Sequence, residues 1–288
     1  MTFRGPASAA VAAAVLLAIA ASCGDPGGNP ALPPTRPDPP TGPGTPVLLP
    51  SDPDAVLLEV WEHAGFVPLE HSVGRPPVIW LQVSGQIVVQ GPTMEIYPGY
   101  ILPPLFTGRL GVPALAEVIA AIEATELPGG GEDIIIDDLT DRVADAPTHE
   151  FTLNEAGRGR SIFVYGMWFS ELADDPRVVA LTALLDAVWR LSDVATEEYY
   201  GGRMLVISLG VQPFPEPDLV NEHPWPLPVP PARPDGFGCH EFEGAQADAV
   251  LEAFRGKNHA ARWVHEGQGY QLVARPLLPE EPGCAGRG

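Results

Sequence analysis

Lysine is almost missing from this chain. Lys257 is the only one in 288 residues, and 16 Lys and Arg side chains in all face 37 carboxylates, a formal charge of −21. Nucleic-acid affinity comes from phosphates neutralised by clustered Lys and Arg, so a nucleic-acid partner is excluded, and anionic lipid surfaces are repelled by the same field. Signature motifs are missing too: there is no H-E-x-x-H, G-x-S-x-G, Walker loop, S-x-x-K or EF-hand loop. No cofactor is indicated. The three cysteines include no C-x-x-C pair, which removes the usual zinc and thioredoxin-like spacings. The longest apolar run, Ala9 to Ala21, falls short of the about 20 residues that a membrane-spanning helix requires.

That short run follows one cation, Arg4, and precedes small residues, the order of parts in a secretory signal peptide, here residues 1–22. Ala20, Ala21 and Ser22 before Cys23 resemble the lipobox of bacterial lipoproteins, although Leu usually stands where Ala20 is. The resemblance implies cleavage before Cys23 and a thioether from its thiol to diacylglycerol. The alternative is an ordinary secretory signal cut near Ala20 to Ser22. Either route delivers the chain to the extracytoplasmic side, on the membrane through a lipid anchor or secreted. Losing Arg4 takes the formal charge from −21 to −22. With Cys23 carrying lipid, Cys239 and Cys284 are the remaining cysteines, and an oxidising compartment favours a disulfide between them. Two buried thiols, or a metal pair, are the other readings.

Residues 23–54 are dominated by Pro, Gly, Asp and Thr and predict an unfolded, partly polyproline-II tether. The globular domain is expected over 55–284, with a subdivision near 128–145 or 211–236 as an option. Its pattern predicts α+β: antiparallel sheet built from hairpins, with about three amphipathic helices packed on one face. Ala55 to Trp61 is the first strand and Val78 to Val89 a hairpin turning at Ser84-Gly85. Leu115, Val118, Ile119 and Ile122 mark a helix after Pro113 that runs to about Leu127. Glu150 to Leu153 and Ser161 to Tyr165 form a second hairpin. A second helix follows, capped by Asp174 or Asp175 with Leu181, Leu184, Leu185 and Val188 on one side. Arg203 to Leu209 is a strand, and the proline-dense stretch from Val211 to Gly236 reads as a surface loop outside any sheet. Ala247, Val250, Leu251 and Phe254 give a third helix, ahead of a hairpin of Arg262 to His265 and Tyr270 to Ala274.

Four weaker groupings carry potential chemistry. The acidic run of Glu132, Asp133, Asp137, Asp138, Asp141 and Asp145 offers the oxygen ligands calcium prefers, without the spacing of a calcium loop; a solvated acidic loop is the plainer reading. His149-Glu150 and His240-Glu241 combine imidazole with carboxylate, as zinc sites and proton shuttles do, but neighbours on a strand point to opposite faces. The metal candidates are therefore Asp137, Asp138, Asp141, His149 and His240. Ser161 starts a strand after a glycine-rich turn, with no base assigned beside it. Among the aromatics, Trp61 and Trp80 read as core, and Trp225, between Pro224 and Pro226, reads as exposed.

The segments Glu95-Ile96-Tyr97-Pro98-Gly99, Asp145-Ala146-Pro147-Thr148 and Arg275-Pro276-Leu277-Leu278-Pro279-Glu280, with the Cys239 context and the lipobox, resemble a family of uncharacterised secreted or lipid-anchored proteins of actinobacteria and related lineages. The resemblance spans Ala55 to Glu281. It implies an envelope location and transfers no reaction, ligand or catalytic residue. The expectation is a non-enzymatic envelope lipoprotein that binds an envelope protein or glycan. The rivals are an envelope hydrolase with an unfamiliar, metal-assisted site and a calcium or small-ligand binding module.

Overall fold

The computed structural model describes residues 44–63, 65–93, 98–156, 158–210, 221–231 and 237–287. The signal peptide, Cys23 and the tether to residue 43 lie outside the described residues. So do Tyr97 and most of the proline-dense stretch.

Chain segments rich in β-branched and aromatic residues form two sheets. The first contains β1 (Val56–His63), β2 (Ile79–Gln82), β3 (Gln86–Gln90), β4 (Leu105–Arg109), β5 (Ile134–Ile136), β6 (Thr148–Glu155), β7 (Arg158–Tyr165) and β8 (Glu197–Glu198), in the order β5-β7-β6-β1-β2-β3-β4-β8. Its pairings are antiparallel except β5 with β7. The β2–β3 turn falls at Ser84-Gly85 as expected, with Gly85 at φ 82°, a conformation that costs glycine least. The second sheet contains β9 (Arg203–Leu209), β10 (Asn221–Pro224), β11 (Phe237–Glu243), β12 (Ala261–His265) and β13 (Gln268–Pro276), in the order β10-β12-β13-β9-β11.

The α+β class and the three amphipathic helices stand as expected, distributed over two sheets. Helices α2 (Val112–Glu123) and α3 (Pro176–Leu191) cover one face of the first sheet. Val118, Ile122, Leu181, Leu184 and Val188 share a core there with Leu58, Val60, Phe151 and Leu153. The side chain of Asp175 caps α3 by accepting from the Arg177 amide at 2.8 Å. Helix α2 ends at Glu123, before Leu127, because the Thr125 hydroxyl donates to the Ile122 carbonyl and accepts from the Leu127 amide, which turns the chain. Helix α4 (Gly244–Phe254) covers the second sheet, with Ala247, Val250 and Phe254 packed on Met204, Val206, Trp263 and Leu272. The remaining helix, the short α1 (Leu69–Val73), follows β1.

Two expectations are overturned inside the proline-dense stretch. Asn221–Pro224 pairs parallel with β12 as an edge strand, a position where proline's missing N–H leaves no ladder bond unmade. Trp225 is 6% exposed, not solvated: its ring packs against Phe242, Phe254 and Trp263, and its Nε1 donates to the Val229 carbonyl at 2.7 Å. The flanking prolines end the strand and drop the indole into the core. Trp80 is buried as expected, while Trp61 is only half-buried.

The limits of the body also shift. Val47 packs against the first core, and its amide donates to Glu123 Oε1 at 3.1 Å. Leu48 donates to Glu155 Oε1 at 2.8 Å and accepts from Ala156 at 2.9 Å, so the folded part starts before Ala55. Residues 128–145 contribute β5 to the first sheet and do not divide it. The chain passes between sheets at Tyr199–Gly202, where Gly201 and Gly202 take φ of 57° and 67°.

The sheets meet through the segment after β13. Leu278 packs with Trp80, Val88 and Leu105. Tyr199 donates to the Leu277 carbonyl at 3.0 Å, and Arg203 to the Glu281 carbonyl at 3.2 Å. The Arg275 guanidinium, with no exposed surface, donates to both carboxylate oxygens of Glu281. Cys239 and Cys284 stand at disulfide distance, 2.11 Å between sulfurs, and fix the end of this strap to β11.

Closing a loop of 45 residues restricts the unfolded chain by about 4 kcal/mol. Mass spectrometry of the unreduced protein should find no free thiol at Cys239 or Cys284, and reduction should lower the denaturant midpoint. Glu281→Ala, which strands a buried guanidinium, should cost about 3–5 kcal/mol in denaturant melts, and Arg275→Met with Glu281→Leu should cost less than that single change.

Candidate functional site

A groove of about 1500 Å³ lies between elements of the two sheets. Its first wall is α1, the β3–β4 connection and the segment after α3; its second is Arg255 to His259, the turn between α4 and β12. Proline dominates the first wall, with Pro68, Pro76, Pro92, Pro103 and Pro104 all lining the groove. Such backbone is stiff and poor in donors. Tyr100 (52% exposed) and Trp189 (39% exposed) present rings to solvent at the groove, with Phe106 and Tyr200 half-buried beside them.

One seam joins the walls. Ile101 donates to the Lys257 carbonyl at 2.9 Å and His259 to the Gly99 carbonyl at 2.9 Å, while Tyr100 bridges Asn258. His71 of α1 meets His259 across it, ring centroids 4.8 Å apart. His259 is 6% exposed and its Nδ1 has no partner. Burial, and then the adjacent His71 ring, push its pKa down to about 4.

The groove's charges mostly neutralise one another. Arg255 lies over the Tyr200 ring at 4.9 Å and 3.6 Å from Glu198. Arg75 donates to Glu62 at 2.9 Å. The His149 ring, followed by Arg75, holds Glu62 down to about 2 against the opposing effect of burial.

The residues nominated from sequence do not converge. Asp137, Asp138 and Asp141 are exposed on the loop after β5. His149 lies buried on β6, edge-on to Trp168, and His240 lies on β11 of the other sheet, stacked near Phe242. Among the described residues no group of three or more His, Cys, Asp and Glu is arranged to hold a metal. Strand alternation splits the first His-Glu dipeptide. His149 faces Glu62 at 3.6 Å, and Glu150 accepts from His63 Nε2 at 2.7 Å on the opposite face. Ser161 shares a hydrogen bond of 2.7 Å with Thr152, which donates to Glu150. That row places the Glu150 carboxylate between the hydroxyls and the His63 imidazole, so the imidazole does not bond Ser161.

A smaller cavity, about 350 Å³, opens where β1 meets the strap, with Glu59 and Trp61 facing Glu280 and Glu281. Glu59 accepts from Trp61 Nε1 at 3.3 Å, and burial, with Glu281 and Glu150 adding to it, raises its pKa. Glu281 is already occupied by Arg275 and the Leu278 amide. Sequence reasoning missed the groove because its walls come from loops without periodicity. Tyr100 stands out in the sequence only as one of several aromatics able to stack on sugars or anchor an interface, and Lys257 only as the solitary lysine. No protein-family model, curated protein or solved structure matches the chain.

The His259 shift sets a pH dependence. Its folded-state pKa lies below the unfolded value of 6.5, so the neutral ring favours the folded state. That stability is complete above pH 6.5 and is lost as pH falls from 6.5 toward about 4, up to a loss on the order of 3 kcal/mol. Urea melts between pH 7 and 5 should show wild type losing stability faster than His259→Gln; equal slopes would contradict the assignment.

Proposed function

We propose that this chain is an extracytoplasmic lipoprotein, held by diacylglycerol on Cys23, whose folded body binds a glycan of the cell envelope in the groove without transforming it. The observation that carries the reading is the open groove itself. It is long, stiff-walled, and lined by solvent-facing Tyr100 and Trp189 among paired polar groups. Flat rings offer apolar faces to sugar C–H groups, and the paired charges leave hydrogen-bonding atoms at the rim without setting up a reactive one. The resemblance to secreted and lipid-anchored proteins agrees with that placement. The tether extends the reach: where extended at about 3.1 Å per residue, it separates the body from the membrane by several nanometres.

Two experiments test the two halves of the reading. Cys23→Ser should release the protein into the medium; retention on membranes would contradict the anchor. The released protein should sediment with isolated cell-wall polysaccharide, and Tyr100→Ala with Trp189→Ala should weaken that association about tenfold without shifting the melting temperature. Sedimentation with no envelope glycan, or equal retention by the double variant, would remove the groove from the function.

A further inference from the structure

The groove holds the chain's only lysine. Lys257 is half-buried in the second wall, and among the described residues its ammonium makes no ion pair, although Asp and Glu outnumber Lys and Arg more than two to one in the chain. Arg255, two residues earlier, is paired with Glu198 and Glu252. His71 and His259 face each other beside it, and His223 of β10 lies within its field. The Lys257 carbonyl accepts from the Ile101 amide at 2.9 Å, on the same seam that carries exposed Tyr100.

An ammonium with no ion pair among the described residues has a local field that distant acids do not cancel, because interactions between exposed charges fade beyond about 8 Å at physiological salt. Two carboxylates of the facing wall, Glu70 on α1 and Asp193 after α3, also line the groove, and no salt bridge joins either to Lys257. The same groove is lined by the phenols of Tyr100 and Tyr200 and by the imidazole of His71, all able to donate, so an anion held by the ammonium would lie in a groove that also offers aromatic faces.

We propose that Lys257 is the anion anchor of the groove, and that the glycan bound there is acidic, meeting the ammonium with a carboxylate or phosphodiester while a neighbouring sugar lies on Tyr100. This rests on the reading of the groove as a glycan site. The Cys23→Ser full chain should be titrated, with Trp fluorescence as readout, against three probes: oligogalacturonate, polyglycerol phosphate and a neutral chito-oligosaccharide. At least one anionic probe should bind tenfold or more tighter than the neutral one, identifying the charge. Lys257→Gln should bring it to the neutral level, Lys257→Arg should keep most of the difference, and raising salt should weaken the anionic probe alone. Lys257→Gln removes no ion pair, so its melting curve should match wild type. Binding of the neutral oligosaccharide as tight as both anions, or an unchanged Lys257→Gln, would overturn the anchor and leave the groove reading standing. Binding of none of the three would overturn both.

Discussion

A buried guanidinium governs how the two halves of this protein meet. Arg275 has no exposed surface, and its charge is answered by one group, Glu281, six residues further along the strap. A charge removed from water in this way tolerates only an arrangement that keeps its partner in place. The strap must therefore fold back on β13, and that return seats Leu278 against Trp80, Val88 and Leu105 of the first sheet. The sheets are thus set apart at a fixed distance, and the groove is the space left where their packing stops. Tyr199, Arg203 and the Cys239–Cys284 pair hold the same segment from three directions.

A comparable fastening occurs at the other end of the described chain. Glu155, buried at the end of β6, uses one carboxylate oxygen for the Leu48 amide and the other for the Gly129 amide. Both bonds hold backbone donors that lie outside any sheet. From Val47 onward the chain is thereby packed against the body.

Legibility from sequence followed the range of the interactions. Helices α2, α3 and α4 and the strands β2, β3, β6, β7 and β9 are specified by local periodicity and turn chemistry, and they lie where the pattern put them. Strand β5 hides in an acidic run, since its three isoleucines are ordered by pairing with β7, a contact no local window contains. Trp225 misleads for the same reason: its neighbours in sequence are prolines, while its neighbours in space are Phe242, Phe254 and Trp263. The nominated metal and catalytic residues were read as clusters because they are close in number. Alternation along β6 then sends His149 and Glu150 to opposite faces, and topology sends His240 to another sheet. The groove was illegible because it is made by two walls that only the strap brings together.

How the charges of this groove are committed supports the proposal of binding without transformation. A catalytic site holds groups in unsettled states, a base without its proton partner or a nucleophile next to one, and the surroundings shift their pKa toward the task. Here Glu62 is driven far into its charged form by His149 and Arg75, and His259 far into its neutral form by burial. Both shifts lead away from neutrality as a working range, so neither group exchanges a proton near pH 7. Arg255 is likewise committed to Tyr200 and Glu198. What the groove keeps available is Lys257 and the exposed faces of Tyr100 and Trp189, with the carboxylates of Glu70 and Asp193 on the facing wall; on the proposed reading, the cation and the two rings orient a chain of sugars.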